Sequence, residues 1–120
     1  MTTSIFVLLA LLQIKHWYID FVMQTPQMVA EKGQYGKWHG ILHSLQHAVA
    51  TFAIFALAGI QFAAIVAVID FVTHYHIDWL KMNYGNRDIT TPQFWNHLGL
   101  DQLAHYVTYL GIVAIFIRII

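Results

Sequence analysis

Apolar residues run along this chain in four long stretches, each interrupted toward one end by ionisable side chains. A bilayer-crossing helix needs about 20 largely apolar residues, and four segments meet that need: Thr3–Gln24, Gly40–Ala58, Ile60–Tyr84 and Leu98–Ile120. Between the second and third there is almost no polar linker, yet Gly40 to Met82 is far too long for one crossing at about 1.5 Å per residue. The chain must fold back near Gly59 and Gln61. The other two connections are polar. Thr25-Pro26 precedes Gln27–Glu31, and Thr91-Pro92 precedes Gln93–Asn96. Each is a Thr cap followed by Pro at the first helical position, which predicts a short interfacial helix in each connection. The expected fold is all-α: one domain over residues 1–120, a polytopic membrane protein with four transmembrane helices in a bundle.

Composition agrees with that reading. The chain is 58% hydrophobic and only 10% charged, against about 25% charged in soluble domains. Six basic residues balance six acidic ones and no basic run offers a phosphate-tracking surface, so nucleic acid is not an expected partner. Without Cys there is no disulfide, thiolate ligand or Cys nucleophile. The apolar run Ile5–Ile14 has no basic flank before it and no small-residue cleavage site after it, and reads as the start of a retained span.

With four spans, the two polar connections fall on one side of the membrane. They carry Lys32, Lys37 and Arg87, with Lys81 at the adjoining helix end, whereas the opposite side has only Arg118. The positive-inside bias places both connections in the cytoplasm and both termini outside. Trp17, Trp38, Trp79 and Trp95 lie near or within the same half, as an interfacial aromatic belt requires.

The ionisable residues inside the spans recur at intervals of four: His16/Asp20, His39/His43/His47, Asp70/His74/Asp78 and His97/Asp101/His105. Residues four apart share a helix face, so each pair can aim two side chains at one point. In a shuffled chain about two of the eight His would have such a partner; seven do. Most of the rows fall at similar depth, in the half nearest the polar connections, above almost pure hydrocarbon. Such groups are costly in a bilayer unless paired, hydrated or ligated. The expected metal ligands are His16, Asp20, His43, His47, His74, Asp78, Asp101 and His105. His39 and His97 lie at the helix mouths, where solvated His is ordinary, and His76 is off the face. Lys15 is expected to snorkel along its helix. Asp70, deeper, and Lys81, at headgroup level, are the expected catalytic residues.

Imidazole and carboxylate together suit a divalent transition metal, zinc before iron or manganese. The number of groups exceeds the four ligands of one tetrahedral zinc, so one or two ions remain open. The Glu-x-x-His signature of soluble di-iron proteins is absent, Glu31 being the only Glu.

The run His16-Trp-Tyr-Ile-Asp20-Phe21-Val-Met-Gln24-Thr25, followed by Lys32, is similar to the opening of a family of small bacterial and phage membrane proteins, domain of unknown function 3307. Leu42-His43 with His47, His74-x-x-x-Asp78-x-x-Lys81 and Asp101-Gln102-x-x-His105 extend the resemblance over nearly the whole chain. It implies a multi-span fold in a bacterial inner membrane or a phage-encoded equivalent. It also draws attention to Gln24, Lys81 and Gln102, and names no reaction.

The sequence reading favours a metal-dependent hydrolase of a lipid-borne or amphipathic substrate, in which a bound ion activates water and an unligated Asp or His takes the proton. The alternatives are a module that stores or passes metal ions or protons, and a histidine-box di-iron oxidoreductase. Membrane lipids are the expected partners, and a homo-oligomer stays open.

Overall fold

The computed structural model describes residues 2–120. Helix α1 (Thr2–Trp17) runs directly into a π-helical turn, Tyr18–Met23, and a short helix α2 (Pro26–Glu31) follows. Helix α3 (Trp38–Phe55) ends in the 3₁₀ turn Ala56–Ala58, and α4 (Ile60–Tyr84) and α5 (Pro92–Ile119) complete the chain. The described residues contain no strand. Four segments are long and apolar enough to cross a membrane: Thr2–Met23, Trp38–Ala58, Ile60–Tyr84 and Pro92–Ile119. Their exteriors carry exposed large apolar side chains, among them Phe6, Val49, Leu57, Val68 and Leu110, more than a water-facing surface leaves bare. The 45 Å long axis matches a bilayer with its headgroups, about 40–45 Å. This is a membrane protein.

The buried positions fall at helical spacing. In α3 they are Gly40, His43, Ser44, His47, Ala48, Thr51 and Phe55; in α4 they include Ala63, Val66, Asp70, His74 and Asp78. Each helix therefore buries one stripe, apolar at one end and ionisable at the other. Helix α1 packs against α3 and α5, α3 against α4, and α4 against α5. The apolar ends meet in a core of Leu12, Phe55, Ala63, Val66, Tyr109, Ile112 and Val113. The ionisable ends meet beyond it, toward α2 and the α4–α5 connection.

The fold-back between α3 and α4 falls where expected, at Gly59. Its φ of 131° is a conformation that a side chain would strain. The Thr-Pro starts also form as caps: Thr25 Oγ1 accepts from Met28 N at 3.2 Å, and Thr91 Oγ1 from Phe94 N at 3.3 Å. Only the first opens a separate short helix. The second opens α5 itself, because nothing after Asn96 breaks the helix; the expected interfacial helix over Gln93–Asn96 is the first turn of the last long helix.

Helix α2 is fastened to the start of α3. No side chain of Lys37, the N-cap of α3, caps the helix. The Glu31 carboxylate serves instead, accepting from the His39 backbone N at 2.8 Å and lying 2.9 Å from its Nδ1. These bonds, the backbone one foremost, hold Glu31 below the usual glutamate pKa. Gly40 permits the approach: a Cβ there would lie 2.9 Å from Lys32 Cα. The consequence is felt one residue further on, where Lys32 is drawn inward and buried.

Candidate metal centre

All eight expected ligands are buried, and so is Asp70. Asp20 comes from the π-helical turn, His43 and His47 from α3, and His74 from α4; one donor atom of each lies within 4.8 Å of the others. Asp20 Oδ1 is 3.0 Å from His43 Nε2, 2.9 Å from His47 Nε2 and 3.6 Å from His74 Nε2. His43 and His74 approach Nε2 to Nε2 at 3.3 Å. Metal–ligand bonds of about 2.0–2.2 Å in a tetrahedron put neighbouring donors about 3.3–3.6 Å apart, so this group has close to the dimensions of one coordination shell.

Two further groups overlap it: His16, His74 and His105, and Asp78, Asp101 and His105. Asp78 links the two ends of the layer. Its Oδ2 is 3.2 Å from His74 Nε2 and 3.3 Å from His43 Nε2, while its Oδ1 is 3.3 Å from His105 Nε2. Asp101 Oδ1 is 3.5 Å from the same His105 nitrogen. The imidazoles of His47 and His74 stack at 3.6 Å between centroids, and those of His74 and His105 at 4.1 Å.

A plain hydrogen-bond network would pair these groups, and here several are left over. His43 Nδ1, His74 Nδ1, Asp78 Oδ2 and Asp101 Oδ1 are buried without a hydrogen bond. Asp78 Oδ2 has cationic or imidazole neighbours at 3.2–3.6 Å, but none is aligned as a donor. Buried polar atoms are normally satisfied, so these four are open to a further partner.

The surrounding residues fix the rings. Gln102 donates its amide to Asp101 Oδ2 at 3.0 Å, which turns its oxygen to His16 Nε2 at 2.8 Å; Tyr109 Oη meets His16 Nδ1 at 2.7 Å. His16 Nε2 thus carries a proton and faces Asp20 Oδ2 at 3.1 Å. Gln24 donates to the Asp20 carbonyl and accepts from Lys32, whose Nζ is 3.6 Å from Asp78 Oδ2. The π-helical turn places Asp20 among these partners; such turns inside α-helices often accompany functional sites.

Lys15 differs most from expectation. It does not snorkel to the surface: its Nζ lies 2.6 Å from Asp70 Oδ2 and 3.0 Å from His47 Nδ1, and Thr51 Oγ1 donates to the same Asp70 oxygen at 2.5 Å. An ammonium only donates, so it makes His47 Nδ1 an acceptor and assigns the ring proton to Nε2, facing Asp20. Asp70 therefore belongs to none of the three donor groups and reaches the layer through Lys15. Lys81 is 3.3 Å from Asp101 Oδ2. The three other His have local partners: His39 with Glu31, His76 with Tyr35, and His97, which accepts from Asn86 N.

Lys15, Lys32, Thr51 and Tyr109 are the polar residues whose place in the site the sequence reading did not identify. Two were within reach. Thr51 stands four residues after His47, and Tyr109 four after His105, so the same spacing extends both rows by a step. Lys15 lies between Leu12 and Ile19 on the buried stripe of α1, but an apolar stripe and a snorkelling lysine look alike in sequence.

The family model "Protein of unknown function (DUF3307)" matches residues 7–119. No curated protein and no solved structure matches the chain.

Proposed function

We propose, from the premise that the chain belongs to the DUF3307 family, that its buried layer is an intramembrane metal centre serving hydrolysis of a lipid-borne substrate. The observation that carries the reading is Asp78, whose two oxygens face different imidazoles: Oδ2 toward His43 and His74, Oδ1 toward His105. A carboxylate so placed can bridge two ions, which in paired hydrolytic centres stand about 3.5–4 Å apart. Asp20, His43 and His74, joined by His47 once its Nε2 proton leaves, would hold one ion; Asp78, Asp101 and His105 would hold the other or remain as its outer partners. His16 holds Asp20. Zinc suits this donor set, and iron or manganese fits the same residues.

Such an ion lowers the pKa of bound water and polarises a carbonyl or phosphoryl oxygen. Lys81, beside Asp101 and at the edge of the layer, is positioned for the substrate, while Asp70 orients His47 through Lys15. The apolar core argues against a conducting path, since it offers no polar groups across the other half. The four long helices would form a transmembrane bundle with both polar connections cytoplasmic and both termini outside, as the lysine and arginine distribution favours.

The test is elemental analysis of protein purified without chelator, followed by turnover of ester- and phosphoester-linked lipids. About one or two divalent ions per chain are expected in the wild type. His74→Ala should lose them, whereas Lys81→Ala should keep them and lose turnover. Equal metal content in wild type and His74→Ala would overturn the centre, and a loaded protein inert toward every such lipid would overturn the hydrolase.

A further inference from the structure

Two cavities adjoin the layer on its loop side, and they share side chains. One, of about 300 Å³, is lined by Gln24, Lys32, Lys81, Asn86, Arg87 and His97 among others, and by no carboxylate. The second, of about 280 Å³, runs between α4 and α5; Ile77, Leu80, Leu100 and Ala104 give it apolar walls, and the buried Asp101 lies on it. Lys81 and His97 line both. Leu80 and Leu100 are 51% and 55% exposed, so the second cavity opens on the apolar outer surface of the helices.

We propose that the two cavities form one binding site for an anionic lipid with a phosphate headgroup, the phosphate lying among Lys32, Lys81 and Arg87 and the hydrocarbon chain in the α4–α5 groove. This deepens the hydrolase reading and rests on it for turnover, because the join between head and chain falls beside Asp101 and hence beside the metal layer.

Charge complementarity selects the headgroup. Three cations converge on a cavity without an acid in its lining, and Arg87 is exposed with no ion pair among the described residues. Lys32 gives one hydrogen bond to Gln24 and Lys81 one to Asp101; an ammonium has three donors, so both retain protons for another acceptor. A cation held by Asp78 and Asp101 would cancel the charge that now balances the two lysines and leave the cavity net positive. The guanidinium of Arg87 offers the planar fork that suits phosphate oxygens. The adjoining groove selects a lipid over a free phosphate ester, since its walls are hydrocarbon and it opens sideways.

The experiment uses the full chain in phosphatidylcholine nanodiscs doped with dansyl-labelled phosphatidate or dansyl-labelled phosphatidylcholine, read by tryptophan-to-dansyl energy transfer. The wild type is expected to prefer the labelled phosphatidate. Arg87→Ala should reduce that preference about fivefold, and Leu100→Phe, which narrows the groove without adding a tryptophan donor, should reduce it too. Lys37→Ala, a cation of the same loop region that lines neither cavity, should leave it unchanged. Equal transfer from the two lipids, or full selectivity in Arg87→Ala, would overturn the proposal. So would a loss in Lys37→Ala as large as in Arg87→Ala, which would indicate diffuse attraction. Displacement by glycerol 3-phosphate as effective as by unlabelled phosphatidate would overturn the lipid source. Metal content separates the two readings: selective binding by metal-free wild type supports this site and counts against the metal centre, whereas metal-replete protein without selectivity overturns this site alone.

Discussion

Lys15 places an ammonium beside a carboxylate where neither reaches water, and its contribution lies in what its loss exposes. Lys15→Met leaves Asp70 buried with only Thr51 as donor, and breaking a buried pair from one side costs about 3–5 kcal/mol. The double variant Lys15→Met/Asp70→Asn should recover most of that loss, because the uncompensated charge is gone. Denaturation in detergent, read by far-UV circular dichroism, checks both; a double variant no more stable than the single would refute the pairing. At this scale the sequence was legible wherever residue type and spacing coincided. Eight expected ligands meet at the layer because four-residue spacing is a property of the helix. Rotamers and tautomers were not legible: that Gln102 turns its oxygen to His16, or that Lys15 reaches across to α4, depends on which helix stands opposite. His16→Gln should therefore weaken metal affinity about 10–100-fold, less than His74→Ala does; isothermal titration with zinc measures the difference.

Among elements, α2 is the smallest and the most consequential, because it sets Lys32 against Asp78. Its clasp on α3 is a carboxylate with a depressed pKa, so the sign of its pH dependence follows. The clasp's stabilisation is fully present above the usual glutamate pKa and is lost as pH falls through the lower folded-state value. The protection factor of the His39 amide, its exchange rate relative to the intrinsic rate at the same pH, should fall across that acidic window in the wild type and be low throughout in Glu31→Ala. Gly40→Val should act on the same joint by steric means, costing about 1–3 kcal/mol and drawing Lys32 away from Asp78; a thermal melt measures it. The start of α3 and the turn at Gly59 were legible because Gly and the change in polarity punctuate the chain there. The start of α5 was misread because a Thr-Pro cap announces a helix without announcing its length.

For the whole molecule, the apolar and ionisable ends are separated along the bundle, and the proposed orientation sets the ionisable end toward the cytoplasm. Single cysteines are easily introduced into a Cys-free chain. With the proposed orientation, Lys37→Cys and Arg87→Cys should label only from the cytoplasmic side, and Leu57→Cys, in the turn between α3 and α4, only from outside. Labelling of the first two from outside would reverse the orientation.

The seal formed by Leu12, Phe55, Val66, Ile112 and their neighbours has an electrical consequence. In the proposed placement, a membrane voltage falls mainly across the dry half of the protein, as across the dielectric of a capacitor. A displaced elementary charge gains about 2.3 kcal/mol per 100 mV only for the fraction of that drop it crosses. Ions and protons exchanging with the histidine layer from the loop side would cross little of it. So placed, the layer would be held near the potential of the compartment it opens to, its proposed chemistry would be insulated from the energised state of the membrane, and the membrane would be insulated from leakage through the layer.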